Sequence, residues 1–118
     1  MFYCASFWRT TLGYKTLGEL DEAARPVDLD RLIHEPARLV LMANLAVVDE
    51  ADFVFLSRRT GLTAGNISSH MAKLEDAGYV KVAKGFVGKR PRTVYRITRQ
   101  GRQAFDRYKV EVAGLLDA

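Results

Sequence analysis

The sequence predicts one mainly α-helical domain with a small β-hairpin, an α+β fold, and three observations support this. The chain has 118 residues, the size of a single domain. Apolar residues recur at helical spacing over residues 28–77 and 99–116, but they alternate with polar residues over 79–97. Glycines and helix-capping side chains separate these stretches. We therefore expect several helices, then a hairpin, then a last helix.

Composition narrows the class of protein. The longest apolar run, Leu39–Val48, is interrupted by Asn44 and is much shorter than the roughly 18 residues of a membrane span. The single cysteine, Cys4, excludes an intramolecular disulfide and is typical of a reducing cytoplasm. One cysteine and two histidines do not favour a metal sensor. We expect a cytoplasmic protein with no membrane contact, no metal and no cofactor.

Charge is distributed unevenly along the chain. Residues 1–57 contain five Lys/Arg and nine Asp/Glu, a net charge of −4, whereas residues 58–118 contain thirteen and five, a net charge of +8. No acidic residue lies between Asp76 and Asp106, although that stretch is rich in lysine and arginine. A one-sided basic half is typical of proteins that bind a polyanion, and a solvated basic face is the alternative.

Residues 1–27 are predicted to be an N-terminal extension outside the domain, because their aromatic side chains follow no period. A short helix over 16–24 is the one element that this stretch suggests. The domain itself is expected to span residues 28–118. At its start, Asp28 or Asp30 would cap a helix, with apolar residues at helical spacing: Leu29, Leu32 and Ile33.

Pro36 suits the first turn of a further helix, which we expect over Ala37–Val48. This helix is apolar on nearly every side, and such a helix is normally buried all round. Since a small domain covers only part of it, a second chain is expected to cover one face. The alternative is a monomer whose own core accounts for these apolar residues.

A helix-turn-helix is predicted over residues 52–77. Asp52 caps a short first helix, and Gly61 fits the position past its end, where φ is positive. Thr63 then caps a second helix, Ala64–Ala77. Two helices joined by a tight glycine-containing turn are typical of this motif, although other helical hairpins share the form. The core-facing positions are Phe53, Leu56, Ile67, Met71 and Leu74.

A β-hairpin follows the second helix. Apolar and polar residues alternate over Tyr79–Phe86 and again over Thr93–Ile97. The six residues between them, 87–92, form the expected turn, and Pro91 stiffens it. An arginine at such a tip can enter a minor groove or hold a phosphate. Three cations are expected there: Lys89, Arg90 and Arg92.

The last helix is predicted over Arg99–Leu116, with Thr98 as its cap. Its apolar residues recur at spacings of three and four, which suits either the core of the domain or a partner helix. We expect this helix to contribute to dimerisation. The stripe consists of Ala104, Phe105, Tyr108, Val112 and Leu115.

Five stretches together resemble a known group of proteins: Asp52-Phe53, Leu62–His70, Leu74–Val80, Gly88–Thr93 and Tyr95–Thr98. They are similar to winged helix-turn-helix transcriptional regulators of the MarR/ArsR-like group, in particular to its small single-domain branch. The similarity extends over about residues 28–116. It implies a winged helix fold, binding to double-stranded DNA and dimers formed through terminal helices.

The outer face of helix 64–77 carries the best candidates for DNA contact. Its side chains are short or hydrogen-bonding, and Asn66 is the best candidate for reading a base because asparagine can pair bidentately with adenine. Glycine at position 65 destabilises a helix by on the order of 1 kcal/mol relative to alanine, so the close approach of a partner would explain why a glycine stands there. The full set of candidates is Arg58, Arg59, Thr63, Ala64, Gly65, Asn66, Ser68, Ser69, His70, Lys73, Lys89, Arg90 and Arg92.

The predicted function is sequence-specific binding to double-stranded DNA as a homodimeric transcriptional regulator. Recognition helix 64–77 would enter the major groove, and the basic wing 87–92 would contact the minor groove or the backbone. An enzyme is not expected, because no nucleophile has a paired base and no phosphate-binding loop is present. The alternatives are a winged helix that binds protein and one that binds RNA. No small-molecule effector is identified by the sequence.

Overall fold

Four helices and three strands make up residues 29–117, the part of the chain that this computed structural model describes. The predicted α+β class is confirmed, and the helices and hairpin expected from residue 37 onward appear in the predicted order, with one further strand among them. The predictions for residues 1–28, which are the N-terminal extension, its short helix and the Asp28 cap, lie outside the described residues. The elements are α1 (Pro36–Val48), β1 (Glu50–Asp52), α2 (Phe53–Thr60), α3 (Ala64–Asp76), β2 (Val80–Val87), β3 (Arg90–Ile97) and α4 (Arg99–Leu116).

Local capping explains where three of these helices begin and end. The side chains of Asp52, Thr63 and Thr98 each accept a hydrogen bond from the backbone N–H three residues ahead, at 2.8, 3.2 and 2.9 Å respectively. Gly61 ends α2 and Gly78 follows α3, with φ of +72° and +82°. Glycine adopts this left-handed conformation without the steric penalty of a Cβ. The predicted caps and breaks are confirmed.

The predicted helix over residues 28–33 is wrong in its described part. Residues 31–33 form a turn, because the Asp30 carboxylate accepts two backbone N–H groups within it, at 2.9 and 3.2 Å. This local hydrogen bonding competes with a helix. Pro36 opens α1 as predicted, and Glu35 is its N-cap.

The strands form one antiparallel sheet in the order β1-β3-β2. β1 was not predicted, because three residues are too few to show an alternating pattern. The turn of the hairpin is only two residues long, Gly88 and Lys89, so the predicted six-residue turn is wrong. Gly88 has a φ of +63° at the first turn position, the pattern of a type II′ turn, whose twist matches that of the flanking strands.

The sheet has a core face and an open face. Val80, Tyr95 and Ile97 are buried, whereas their strand neighbours Lys81 and Arg96 are exposed, as expected for side chains that alternate across a strand. The helices complete the core with Leu41, Met42, Leu45, Leu56, Ile67, Met71, Leu74, Ala104, Phe105 and Tyr108.

Within the described chain, α1 is not buried on all sides. One stripe of the helix fills the core, but Val47 is 82% exposed and Val40 is 41% exposed. The prediction of burial all round is therefore wrong for a single copy. Coverage of the exposed side by a second chain stays a prediction.

Candidate nucleic-acid interface

The tight turn between α2 and α3 places the first turns of α3 at the surface. Only residues 61–63 separate the two helices, and Thr63 both caps α3 and is exposed. Three buried apolar residues hold the inner face of α3 in the core. The other predicted outer-face residues, apart from His70, are all exposed: Ala64, Gly65, Asn66, Ser68, Ser69 and Lys73.

Within residues 29–117, neither Gly65 nor the side chain of Asn66 has a visible structural role. A Cβ added at Gly65 would meet no described atom within 4 Å, so internal packing does not require a glycine there. The backbone N–H of Asn66 is taken by Thr63, but its side-chain amide has no hydrogen-bond partner among residues 29–117. Both positions are therefore free to meet a molecule outside the fold.

His70 differs from the other candidates on α3 because it is half-buried. Its Nδ1 lies 3.1 Å from Nη1 of Arg38 and 3.4 Å from a carboxylate oxygen of Glu35. Because a guanidinium only donates, a neutral His70 ring accepts from Arg38 through Nδ1, whereas a protonated ring pairs with the Glu35 carboxylate instead. His70 thus joins α3 to the start of α1.

Glu35 completes this contact. Its carboxylate accepts hydrogen bonds from the backbone N–H groups of Ala37 at 3.0 Å and Arg38 at 3.2 Å. Burial by itself would raise the pKa of Glu35, but these two N–H groups and the charges of His70 and Arg38 outweigh it and hold the pKa below its usual range. The ionised carboxylate therefore stabilises the junction of α1 and α3 at neutral pH.

The end of α2 presents two further candidates, Arg58 and Arg59, both exposed where cations complement the helix dipole. Arg59 donates through Nε to Oδ1 of Asn44 at 3.3 Å, and its guanidinium lies 5.9 Å from the centroid of the Phe55 ring. Arg58 forms neither an ion pair nor a side-chain hydrogen bond within residues 29–117. Arg58 is thus the freer of the two to bind an external anion.

The hairpin tip differs from its prediction. Lys89 lies in the turn and Arg90 begins β3, and both are exposed. Pro91 and Arg92 lie within β3 instead, opposite Phe86 and Gly85 of β2. A proline is tolerated there because β1 pairs with β3 only at residues 94–96, which leaves the other edge of β3 open beside Pro91.

Arg92 is tied to the fold rather than free at the tip. Its Nη2 lies 3.5 Å from Oδ2 of Asp52, the residue that caps α2. Its side chain remains 51% exposed. The structure thus brings Arg92 to the start of α2, whereas no hydrogen bond or ion pair among residues 29–117 joins Lys89 or Arg90 to α3.

The match to a family model decides what kind of domain this is. The family described as winged helix DNA-binding domain matches residues 37–116. The chain belongs to that family. The predicted resemblance to winged helix-turn-helix regulators and the predicted fold are confirmed by this match, and the β2–β3 hairpin is the wing of the winged helix.

Individual relatives agree with this family. An uncharacterized protein of Methanocaldococcus jannaschii is 32% identical over 85 residues, which cover 72% of this chain and 92% of that protein. A structure of a transcriptional regulator homologue from Pyrococcus horikoshii OT3 is 32% identical, with a TM-score of 0.71 over 86% of this chain and 96% of that chain. A structure of NadR in complex with 4-hydroxyphenylacetate is 19% identical, with a TM-score of 0.62 over 99% of this chain and 79% of that chain, and it shares the fold.

Sequence reasoning missed several residues of this winged helix. Lys84 and Phe86 are exposed on the wing, Phe86 to 74%, and the alternation along β2 could have found both. The partners of His70, which are Glu35 and Arg38, are more than thirty residues away in the sequence. No local pattern predicts such a contact.

The candidate site of the winged helix is a set of exposed surfaces: the outer face of α3, the end of α2 and the tip of the wing. Among residues 29–117, no group of three or more His, Cys, Asp or Glu side chains is placed to hold a metal ion. Over the same range, no helix combines the length and apolar character that crossing a bilayer would need.

Proposed function

We propose that this chain is a sequence-specific, double-stranded DNA-binding transcriptional regulator that acts as a homodimer. One observation carries the proposal: the first two turns of α3 are exposed, and on them the side-chain amide of Asn66 has no hydrogen-bond partner among residues 29–117. α3 would enter the major groove, which admits a helix and displays a distinct donor and acceptor pattern for each base pair.

The first two turns of α3 are assigned to base readout and close approach. Asn66 offers a donor and an acceptor that match an adenine, and its amide has no competing partner among the described residues. Gly65 lets a DNA strand approach the helix backbone. Ser68, Ser69 and Lys73 follow on the same exposed face, and the helix N-terminus at Ala64 favours a phosphate.

The wing and the end of α2 are assigned to the phosphate backbone or the minor groove. Lys89 and Arg90 are the cations at the tip, and Arg58 is the cation at the end of α2 for which no ion pair is seen within residues 29–117. Contacts of this kind fix the register of a protein on DNA and carry little sequence information. Arg92 is given a smaller part, because the Asp52 carboxylate already faces it.

His70 is assigned to support α3 rather than to read a base. Its Nδ1 is occupied by the contact with Arg38, so only Nε2 is left to donate to a phosphate. A role in positioning the helix therefore fits the geometry better than direct readout.

Two apolar surfaces support the homodimer. Val47 on α1 and Val110 and Leu116 on α4 are exposed to between 72% and 82%. A twofold pair would set two recognition helices about 34–36 Å apart, one turn of DNA, and would favour a palindromic site. Light scattering on the full chain is expected to give twice the mass of one chain. The double variant V110E/L116E is expected to give a monomer.

Fluorescence anisotropy tests the DNA-binding proposal directly. The probe is a labelled duplex from upstream of the gene that encodes this chain, with a scrambled duplex of equal length as control and salt varied from about 50 to 200 mM. The upstream duplex is expected to bind about a thousandfold more tightly. Equal binding to both duplexes would contradict sequence specificity, and tighter binding to A-form RNA would favour the RNA-binding alternative.

The double variant K89Q/R90Q separates DNA binding from protein binding. It is expected to weaken binding to both duplexes alike and to lower the salt slope by about two, because two phosphate contacts are lost. The matched control R107Q/K109Q removes two exposed cations from α4 and is expected to leave the slope unchanged. If K89Q/R90Q binds DNA as the wild type does, the protein-binding alternative is favoured.

Catalysis and a cofactor form no part of this proposal, in keeping with the family. The cytoplasmic location predicted from the single cysteine stays a prediction.

A further inference from the structure

Two cations oppose each other at the base of the wing. Lys81 on β2 pairs directly with Arg96 on β3 in the register of the sheet, so both side chains lie on the open face. Like charges in directly opposite positions destabilise a sheet. The pair therefore costs the fold stability that a neutral residue at either position would restore.

A third cation joins this pair from α4. Arg99 is the first residue of α4, where the positive end of the helix dipole disfavours a cation. Lys81, Arg96 and Arg99 line one surface cavity of about 260 Å³, together with Ile97 and Thr98. Two strands and a helix thus place three cationic residues around one shared cavity.

No acid within residues 29–117 neutralises these cations through an ion pair. Glu50 on β1 pairs directly with Arg96 in the register of the sheet and lines a neighbouring cavity with Lys81 and Arg96, yet none of its oxygens lies within 4 Å of a cationic nitrogen. One carboxylate thus faces three cations. The nearby Arg102, by contrast, is paired with Asp49. The cluster keeps a surplus of positive charge, which an anion would relieve.

The cluster is remote from the tip of the wing. In the register of the hairpin, Lys81 and Arg96 are separated from the Val87–Arg90 pair by six residues along each strand, or about 20 Å. The cations assigned to DNA at the tip are therefore distinct from these three. A small cavity at this distance fits a small ligand better than a duplex.

We propose that Lys81, Arg96 and Arg99 form a binding site for the phosphoryl group of a small phosphorylated molecule. Two guanidinium groups can hold phosphate oxygens bidentately, and the lysine adds a point charge. The first backbone N–H groups of α4 add further donors of the kind that favour phosphate. This site does not depend on the proposed DNA-binding function.

Calorimetric titration of the full chain with inorganic pyrophosphate tests the site. The double variant K81Q/R96Q is expected to lose at least about tenfold in affinity, because each lost partner contributes a charge-assisted hydrogen bond. The control K89Q/R90Q removes two cations from the other end of the same hairpin and is expected to change the affinity less than about twofold. Equal losses in both variants would overturn the site.

Thermal unfolding gives an independent readout. Without pyrophosphate and at low salt, K81Q/R96Q is expected to unfold at a higher temperature than the wild type, because the repulsion is gone. Pyrophosphate is expected to raise the unfolding temperature of the wild type more than sodium chloride of equal ionic strength does. A rise that sodium chloride reproduces would mean screening alone and would overturn the proposal.

Duplex DNA distinguishes the source of the phosphate. K81Q/R96Q is expected to bind DNA within about twofold of the wild type while it loses pyrophosphate. If instead it loses DNA affinity as K89Q/R90Q does, and the wild type does not bind pyrophosphate, these cations serve the DNA backbone and the proposal fails. If neither the wild type nor either of these two variants binds DNA, the proposed function is contradicted, and the pyrophosphate result alone decides this site.

Discussion

α3 and α4 begin in the same way but differ in what surrounds their first turns. Each helix is capped by a threonine whose hydroxyl accepts the backbone N–H three residues ahead, and each carries a glycine in its first turn. Gly101 of α4 is buried, and a Cβ there would overlap the backbone carbonyl of Tyr79. Gly65 of α3 is exposed, and a Cβ there would meet open space.

Glycine thus has two different roles in the first turns of these helices. At Gly101 the fold itself requires the absence of a side chain, because α4 lies directly against the turn that follows α3. At Gly65 no contact within residues 29–117 requires a glycine, so any requirement comes from beyond these residues. Substitutions that separate stability from DNA binding can test this distinction.

The largest effect is expected for Gly101→Ala. The methyl group would overlap backbone atoms of Tyr79, which cannot move away as a flexible side chain could. The free energy of unfolding is expected to fall by about 3 kcal/mol or more, as for other severe overpacking. Urea unfolding measures it. A loss below about 1 kcal/mol would show that α4 shifts easily and would weaken the comparison.

The next effect is expected for Asn66→Ala, and it concerns binding rather than stability. Loss of a bidentate contact to a base is worth about 1–3 kcal/mol of discrimination, or roughly 5- to 150-fold in affinity for the specific duplex. The free energy of unfolding is expected to change by less than about 0.5 kcal/mol, because the side chain is exposed and has no partner in the described chain.

A matched control for Asn66 lies further along the same helix. Ala72 is exposed on α3, and Ala72→Asn adds an amide without removing one. It is expected to leave discrimination between the specific and scrambled duplexes unchanged. Equal discrimination in wild type and Asn66→Ala would remove Asn66 from the readout surface.

The sequence predicts an element of the fold correctly where neighbouring residues determine that element. The caps at Thr63 and Thr98 and the break at Gly61 are set by neighbouring residues, and the sequence predicts them correctly. The length of the hairpin turn was wrong because Pro91 suggested a turn, whereas Gly88 allowed a shorter one with better twist.

Long-range contacts explain why the structure of the candidate site differs from its prediction. The sequence placed Arg90 and Arg92 together as tip cations, but Asp52 lies on a strand that only the folded sheet brings beside Arg92. The contact of His70 with the start of α1 has the same origin. A pattern of charged residues predicts the sign of the net charge on a surface, but it does not predict which of those residues form ion pairs within the fold.

A smaller effect, which depends on pH, is expected at the junction of α1 and α3. The folded-state pKa of Glu35 lies below its ordinary value of 4.5, so its ionised form stabilises the fold above that pH and loses this contribution as pH falls through the lower, folded-state pKa. Glu35→Gln is expected to cost about 1 kcal/mol at pH 7, in the range of N-cap substitutions.

Urea unfolding at several pH values measures this contribution. The difference between wild type and Glu35→Gln is expected to be constant from pH 7 to about pH 5 and to shrink below about pH 4. The control Glu111→Gln removes a carboxylate on α4 for which no ion pair is seen among residues 29–117, and it is expected to show no such dependence. A difference that persists unchanged to pH 2 would exclude the carboxylate charge as its cause.

The smallest change in stability is expected for Gly65→Ala, and the direction of this change matters more than its size. Alanine fits the open space and restricts the unfolded chain, so the free energy of unfolding is expected to rise by about 0.5 kcal/mol. Affinity for the specific duplex is expected to fall by about fivefold, because the methyl group keeps the DNA away from the helix backbone. A variant that is more stable and also binds as tightly as the wild type would show that no partner approaches Gly65. A variant that is more stable but binds less tightly would mean that this glycine lowers the stability of the fold in favour of contact with DNA, the opposite of the role of Gly101.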